Sequence, residues 1–365
     1  MKLISLFSGI GAFEKALANL NIDHEVINYC EFDKYASESY SAIHGIDKRL
    51  NLGDITKVDI SKLEKGSADL ITYGFPCQDI SLAGKQKGFE DENGNLTRSG
   101  LFFYAASIIG RIQPRIAVCE NVKALVGKKF EKEFKIVLDT LDKMGYNNYW
   151  QVLNAKDYGI PQNRERVFVV SVRKDIDNGE FNFPKPFNLE RKVADILESK
   201  VDEKYYLSDR VINYFIKCNG TDIVEPVIYD DYNGRIKADQ SVIGTLTTNC
   251  GNDAERNGVK IIEYSEYSLK KIKANIVKGD IVGTITANAM QSVNHDNCHL
   301  IQNNYRIRKL TPKECWRLMG FDDKDIEKAQ AVGISNTQLY KQAGNSIVVN
   351  VLMEIFKQLH NCQMI

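Results

Sequence analysis

A cysteine stands directly after a short apolar run, in a loop that also contains a proline. The run Leu70–Tyr73 predicts a buried strand, and Pro76 and Cys77 lie in the loop that follows it. A free thiol has a pKa of about 8.5, so it is a nucleophile near neutral pH only where the site stabilises the thiolate or accepts its proton. By itself a cysteine is more often a small buried hydrophobic residue. The loop position of Cys77 makes a nucleophile the alternative to test.

A glycine-containing turn follows the first apolar run of the chain. In Ser8-Gly9-Ile10-Gly11 the glycines allow a tight turn and a close approach of a ligand to the backbone. Glu14 replaces the third glycine of the dinucleotide fingerprint, and an acid near a helix start disfavours a pyrophosphate. Glu31 ends the second predicted strand about twenty residues later, where an acid typically hydrogen-bonds a ribose. Asp54, after a further predicted strand, is a candidate acceptor for an adenine amino group.

Short apolar runs alternate with helical stretches in the first half of the chain. The predicted strands are Lys2–Leu6, Val26–Cys30, Leu70–Tyr73, Ile116–Cys119 and Val167–Val172, and the predicted helices are Ala12–Leu20, Lys34–Ile43 and Phe130–Met144. Parallel strands need long crossover connections, so this alternation predicts an α/β fold with a mostly parallel sheet. Ligands are then expected at the carboxyl ends of the strands.

The character of the sequence changes after Phe183-Pro184-Lys185-Pro186. Residues 188–304 are richer in Asn, Gly, Asp and Tyr and contain short β-like runs such as Ile243–Thr248 and Ile281–Ala287. A helical pattern returns over Tyr340–Leu359. We therefore expect a first domain at 1–187, a smaller β-rich domain at 188–304, and a hinge with a terminal helix at 305–365 that returns to the first domain.

Composition limits the classes of function. Of 365 residues 43% are hydrophobic, and Lys plus Arg and Asp plus Glu both total 48, so a nucleic-acid footprint must be local, as in the basic stretch Arg306–Arg317. No apolar run reaches the roughly 18 residues of a membrane span, and no signal peptide is recognised. The eight cysteines lack a CxxC pair, which favours a reducing cytoplasm. Cys298 between His295 and His299 is better explained as loop than as metal site, and we expect no metal.

Taken together, the motifs resemble the cytosine C5 DNA methyltransferase family, and they occur in that family's order. The matching pieces are Phe7-Ser8-Gly9-Ile10-Gly11, Glu31, Asp54-Ile55, Phe75-Pro76-Cys77-Gln78, Thr97-Arg98-Ser99-Gly100-Leu101-Phe102, Glu120-Asn121-Val122, Gln162-Asn163-Arg164-Glu165-Arg166, Arg308-Lys309-Leu310-Thr311-Pro312-Lys313-Glu314 and Gly344-Asn345-Ser346. One departure is Ser5, where many members carry Asp. That departure puts one contact to the cofactor in doubt.

The resemblance implies a Rossmann-like methyltransferase domain that binds S-adenosylmethionine. In such an enzyme Cys77 would attack C6 of a cytosine, Glu120 would donate a proton or hydrogen bond at N3, and Arg164 and Arg166 would hold the base and the catalytic groups in register. The implied cofactor residues are Phe7, Gly9, Ile10, Gly11, Glu31, Phe32, Asp54, Ile55, Pro76, Leu101, Asn345 and Ser346.

The resemblance further implies duplex DNA as the substrate. A stacked cytosine is out of reach, so it must be flipped out of the helix, and residues 83–91 resemble the family's closing loop. Residues 188–304 would be the target recognition domain. The candidate DNA contacts are Gln78, Ser81, Lys85, Arg98, Arg235, Gln240 and Asn249. We expect a monomer on DNA that belongs to a restriction-modification system, with any cognate endonuclease acting independently.

Three other classes share part of this pattern. A nicotinamide dehydrogenase would have the same sheet, but Glu14 replaces a glycine that it needs, and it has no use for Cys77 together with Glu120. A tRNA C5-methyltransferase would keep the chemistry, whereas the long β-rich segment favours a duplex. A non-enzymatic DNA-binding regulator would not need Cys77, Glu120 and Arg164.

Overall fold

The computed structural model describes residues 1–76, 89, 97, 99–206, 227–230, 235–236, 242–246, 259–264 and 305–365. A six-stranded sheet forms its centre, with the strand order β2-β1-β3-β4-β6-β5. Its strands are β1 (Lys2–Leu6), β2 (Glu25–Cys30), β3 (Leu70–Tyr73), β4 (Ile116–Val122), β5 (Tyr146–Asn154) and β6 (Glu165–Arg173). The pairs from β2 to β4 are parallel, and β6 is antiparallel to both β4 and β5. The predicted mostly parallel α/β sheet is confirmed.

Helices cover both faces of this sheet, as the nearly continuous apolar strands require. The helices are α1 (Ala12–Asn19), α2 (Lys34–His44), α3 (Phe102–Ile112), α4 (Glu131–Lys143), α5 (Pro312–Arg317), α6 (Asp323–Ala331), α7 (Asn336–Asn345) and α8 (Val349–Asn361). Side chains alternate along a strand, so Leu3 packs in the core with α1, α6, α7 and α8. Its neighbour Ile4 packs in the opposite core with α3 and α4.

A smaller antiparallel sheet has the order β10-β9-β7-β8. Its strands are β7 (Val227–Asp230), β8 (Arg235–Ile236), β9 (Val259–Tyr264) and β10 (Tyr305–Lys309). A fully buried bidentate ion pair, 2.8 and 2.9 Å, joins Arg308 at the end of β10 to Glu314 of α5. Glu314 also belongs to a capping box with Thr311, so the start of α5 is tied to this sheet. The domain boundaries proposed from the sequence stay a prediction.

Several local expectations were wrong. The residues directly before Asp54 form a 3₁₀ turn (Lys48–Leu50) and not a strand, and Asp54 itself caps a second 3₁₀ turn (Ile55–Lys57) by accepting from Thr56. The predicted terminal helix is two helices, α7 and α8, separated by extended backbone at Ser346 and Val348. Helix α3 and strand β5 were not expected. Apolar residues lie nearly all round α3, and exposed and buried residues do not alternate cleanly along β5, so neither has a clear period.

Candidate active site and cofactor pocket

A pocket opens at the carboxyl ends of β1 to β4, where an open α/β sheet is expected to bind ligands. The first part of the chain supplies one side of it, and α7 with the turn that follows supplies the other. Its lining residues are Phe7, Gly9, Ile10, Glu31, Asp33, Ala36, Gly74, Phe75, Pro76, Glu120, Asn121, Val122, Arg164, Arg166, Gln338, Lys341, Gln342, Gly344, Asn345 and Ser346. The candidate cofactor turn and three candidate catalytic side chains therefore share one cavity.

The turn after β1 has the backbone conformation that its glycines allow. Gly9 and Gly11 have φ values of +57° and +81°. At Gly11 a Cβ would lie 2.1 Å from Nε2 of His44, which contacts the carbonyl of Ile10 at 3.0 Å. Only glycine fits both the left-handed backbone and the space beside His44. His44 of α2 therefore packs against the turn and restricts its conformation.

Glu31 links this turn to the loop that follows β2. One carboxylate oxygen accepts from the backbone N–H of Gly9 at 2.8 Å, and the other accepts from that of Asp33 at 2.7 Å. Burial raises the pKa of Glu31, although the two backbone donors act in the opposite direction. Each oxygen keeps capacity for a further donor such as a sugar hydroxyl. An acid at this position suits a nucleoside better than a phosphate.

Glu14 does not face the pocket. It is 1% exposed, and Tyr40 of α2 donates a 2.8 Å hydrogen bond to its carboxylate. The sequence argument that Glu14 repels a pyrophosphate at the turn therefore had the wrong geometry. The preference for a phosphate-free ligand depends on Glu31 instead.

Glu120, at the end of β4, forms an ion pair with Arg166 at the start of β6. Nε of Arg166 lies 3.0 Å from Oε1 of Glu120, and the two side chains are 16% and 12% exposed. Burial raises the pKa of Glu120, and the nearby cations Arg166 and Arg164 only partly oppose this effect. A carboxyl group in such a setting can hold a proton at higher pH than a carboxyl in water.

The loop before Cys77 is held by Asn121, the neighbour of Glu120, and by Ser99. Asn121 donates from its amide to the carbonyl of Phe75 at 3.1 Å, and the hydroxyl of Ser99 donates to the carbonyl of Pro76 at 3.0 Å. Both acceptors are in the wall of the pocket. Cys77 itself lies outside the described residues.

Arg164 has a different setting from Arg166. Its guanidinium donates to three backbone carbonyls, of Leu246 at 2.9 Å, Gly344 at 3.0 Å and Ser346 at 2.8 Å. The side chain is nearly fully buried. Arg164 therefore joins a segment beyond residue 188 to the turn that ends α7.

Comparison with known proteins decides the family. The profile described as C-5 cytosine-specific DNA methylase matches residues 1–361. The chain belongs to this family. It is 36% identical to the orphan methyltransferase M.SPRI of Bacillus phage SPR, over 98% of this chain and 97% of that protein. It is 33% identical to the type II methyltransferase M2.ScrFI of Lactococcus lactis subsp. cremoris, over the full length of both.

Among solved structures, the DNMT2 of Spodoptera frugiperda has a similar fold. Its TM-score is 0.67 at 20% identity, and the match covers 98% of this chain and 99% of that one. In this family member, none of the described helices is long and apolar enough to cross a bilayer. Within the same described ranges, no group of His, Cys, Asp and Glu side chains is arranged to bind a metal. The stretch from His295 to His299 lies outside them.

Seven of the expected cofactor residues of this C5-methylase line the pocket, and they are Phe7, Gly9, Ile10, Glu31, Pro76, Asn345 and Ser346. Five others do not line it. Gly11 is the N-cap of α1, Ile55 is in the core, Leu101 precedes α3, Asp54 caps its own 3₁₀ turn, and Phe32 is 80% exposed beside Glu31.

Ser5, the departure from the family pattern, is buried between strands. The hydroxyl of Thr72 on β3 donates to the Ser5 hydroxyl at 3.2 Å. The side chain therefore has no part in the pocket wall, and the substitution is accommodated within the sheet.

Seven residues of this methylase were expected to contact DNA. Gln78, Ser81, Lys85, Arg98, Gln240 and Asn249 lie outside the described residues. Arg235 begins the short strand β8, where the backbone alone is described. Their roles stay predictions.

Most of one wall of the pocket was not expected from the sequence. Gln338, Lys341 and Gln342 line it from α7, together with the expected Asn345. Their spacing of three, four and seven residues places them on one helical face. This polar stripe leading into Gly344-Asn345-Ser346 was the available signal.

Proposed function

We propose that this protein is a DNA cytosine C5-methyltransferase that uses S-adenosylmethionine and forms a covalent bond from Cys77 to the target base. One observation carries the proposal. The Glu120–Arg166 pair, the Gly9 turn with Glu31, and the loop that leads into Cys77 all belong to one pocket. A methyl donor and a base bound in that pocket would be neighbours.

The residues of the pocket fit the cofactor. Glu31 would accept from the ribose hydroxyls, Phe32 with its exposed ring would cover the adenine, and the backbone of Gly9 and Ile10 would approach the nucleoside closely. Gln338 adds a buried amide oxygen for which the described residues show no partner. When bound, S-adenosylmethionine supplies an electrophilic methyl group. Asn345 and Ser346 would close the other side.

Covalent attack solves a chemical problem, because C5 of cytosine is a poor nucleophile. The Cys77 thiolate would form a bond to C6, and the electron pair of the C5–C6 double bond would move toward C5 and the ring. Glu120, whose pKa is raised by burial, would give a proton or hydrogen bond to N3 when it is in its protonated form. Arg166 would orient the Glu120 carboxyl group and the base carbonyl.

Product formation reverses these movements. After C5 gains the methyl group, a base removes the C5 proton, the C5–C6 double bond returns, and Cys77 leaves as a thiolate. A water molecule or hydroxide can serve as that base.

Access to the base requires flipping, with residues 1–187 as the catalytic domain and 188–304 as the target recognition domain. The names of the relatives support DNA modification, since they are a phage orphan methyltransferase and a type II methyltransferase. We place this enzyme in the cytoplasm as a monomer on duplex DNA that protects sites in a restriction-modification system. Any companion endonuclease would act independently.

The test is methyl transfer from radiolabelled S-adenosylmethionine to duplex DNA, with analysis of the product nucleosides. The proposal requires 5-methyldeoxycytidine as the labelled product and little label in tRNA at equal concentration. Label on an exocyclic nitrogen, or label confined to tRNA, contradicts the proposal. Bisulfite sequencing of the methylated DNA then gives the target sequence.

A further inference from the structure

Helix α7 is fastened to the start of α2 by polar contacts at the pocket wall. Nζ of Lys341 lies 2.5 Å from Oδ2 of Asp33. At the next residue of α7, the Gln342 amide donates to the carbonyl of Tyr35 at 3.0 Å and accepts from the Ser39 hydroxyl at 3.1 Å. These contacts join the two sides of the pocket, whose residues are about 300 positions apart in the sequence.

Asp33 divides its two carboxylate oxygens between different tasks. Oδ1 caps α2 by accepting from the N–H groups of Tyr35 and Ala36, at 2.9 and 3.1 Å. Oδ2 receives Lys341. The N–H of Asp33 in turn donates to Glu31, the expected ribose ligand. The Lys341–Asp33 ion pair is therefore linked to Glu31 through the backbone of Asp33.

The contacts of Gln342 and the ion pair of Lys341 with Asp33 differ in their access to water. Gln342 is 5% exposed, whereas the side chains of Lys341 and Asp33 are 46% and 30% exposed. Burial alone would raise the pKa of Asp33, but Lys341 and the capping N–H groups lower it, so the carboxyl group is charged near neutral pH. A partly hydrated pair can separate at small cost while the buried contacts of Gln342 keep α7 in place.

We propose that Lys341 and Asp33 form a strap across the cofactor pocket that sets how long S-adenosylmethionine and its demethylated product stay bound. This inference rests on the proposed function. Both are positioning residues, since the mechanism gives neither of them a contact with the reacting atoms. Opening the strap would unlink the Lys341 and Asp33 side chains at the pocket wall while α7 stays in place, so breaking it should act first on the rate of cofactor release.

The experiment measures the dissociation rate of S-adenosylhomocysteine from the full-length enzyme by stopped-flow displacement. Lys341→Met should release it about two- to fivefold faster at low salt, the range expected for a partly exposed ion pair. Asp33→Asn should do the same, because asparagine keeps the cap of α2 but loses the charge. Lys341→Arg should retain the slow rate. Lys135→Met breaks the exposed Lys135–Asp139 pair on α4, outside the pocket, and should match the wild type.

Two further readouts separate an ion pair from a packing effect. The double variant Asp33→Asn/Lys341→Met should be no faster than either single variant, because both remove one interaction. The difference from wild type should shrink as salt is raised toward 1 M, where the screening length is about 3 Å. If the two substitutions have additive effects on the release rate, the proposed strap is wrong. The same conclusion follows if salt does not change the difference in release rate between the variants and the wild type.

Failure of the strap and failure of the proposed function give different results. A wild-type enzyme that does not bind S-adenosylmethionine in a calorimetric titration contradicts the proposed function. A wild-type enzyme that binds it, with variants that release product at the wild-type rate, contradicts only the strap. Thermal unfolding of each unliganded variant confirms that the folded protein is being compared.

Discussion

Arg166 holds Glu120 by an ion pair of 3.0 Å while burial favours the protonated form of the same carboxyl group. The two effects oppose each other, and burial is the larger. If protonated Glu120 is the active form, turnover is full at lower pH and falls as the pH rises through its pKa, above the ordinary value of 4.5. Glu120→Gln cannot supply the proton, so kcat should fall by about a hundred- to ten-thousandfold.

Removal of the positive charge of Arg166 should shift the pH dependence of kcat in a definite direction. Arg166→Met removes a charge that lowers the pKa of Glu120, so the high-pH limb of the kcat profile should move to higher pH as kcat falls. Arg173→Met is the matched control, because Arg173 is at the other end of β6 and pairs with Asp175. If the high-pH limb of the kcat profile stays in place in Arg166→Met, the group that titrates in that profile is not Glu120.

The nucleophile can be identified by trapping. Duplex DNA that contains 5-fluorocytosine at the target should form an adduct that survives denaturation, because fluorine at C5 cannot leave as a proton does. Cys77→Ala should form no adduct. Cys362→Ser is the control, since Cys362 is a partly exposed thiol in the C-terminal segment, and it should trap like the wild type. An adduct in Cys77→Ala, detected by a gel-mobility shift and mass spectrometry, would remove Cys77 from the mechanism.

Gly11 should be far less tolerant of a side chain than a positive-φ glycine that faces open space, such as Gly53. Its φ is +81° and a Cβ would lie 2.1 Å from His44, so Gly11→Ala should lower the free energy of unfolding by about 2–4 kcal/mol. Gly53→Ala, at φ +70° with nothing within 4 Å of the added Cβ, should cost about 1–2 kcal/mol. Urea denaturation measures both. His44→Ala should recover part of the loss in Gly11→Ala, and no recovery would mean that the clash is not the cause.

The sequence predicted best what is local. The β1 strand, the glycine turn and α1 follow from a few consecutive residues, and the alternation of runs correctly placed Glu31 directly after β2. Strand β4 continues beyond its predicted end at Cys119 to Val122, so it includes Glu120. The direction in which a side chain points was harder to predict. Glu14 stands near a helix start as expected, but the phase of α1 turns it into the interior toward Tyr40. Asp54 was placed after a strand, but the segment before it makes only a 3₁₀ turn and a single bridge from Asn51 to Tyr29.

Contacts between distant parts of the chain could not be predicted. Asp33 and Lys341 are 308 residues apart in the sequence, and nothing in either segment specifies the other. The motif order singled out Asn345 and Ser346, which line the pocket, but the α7 residues before them were overlooked. A stripe of polar residues on one helical face looks the same whether it meets water or a binding pocket.

Arg164 is the clearest example of a long-range contact that sequence analysis could not predict. Its residue type suggested a contact to the base, whereas its hydrogen bonds indicate that it links distant segments of the chain. Its hydrogen bonds to Leu246, Gly344 and Ser346 join segments 82 to 182 residues away. Arg164→Lys keeps the charge but cannot span three acceptors with one ammonium group in the same geometry. Unsatisfied buried carbonyls should then lower the free energy of unfolding by about 2–4 kcal/mol, as measured in urea. The neighbouring exposed Asn163 provides the control, and Asn163→Ala should cost less than about 1 kcal/mol. If Arg164→Lys is instead as stable as the wild type and loses only turnover, Arg164 acts on the base and the link is unimportant.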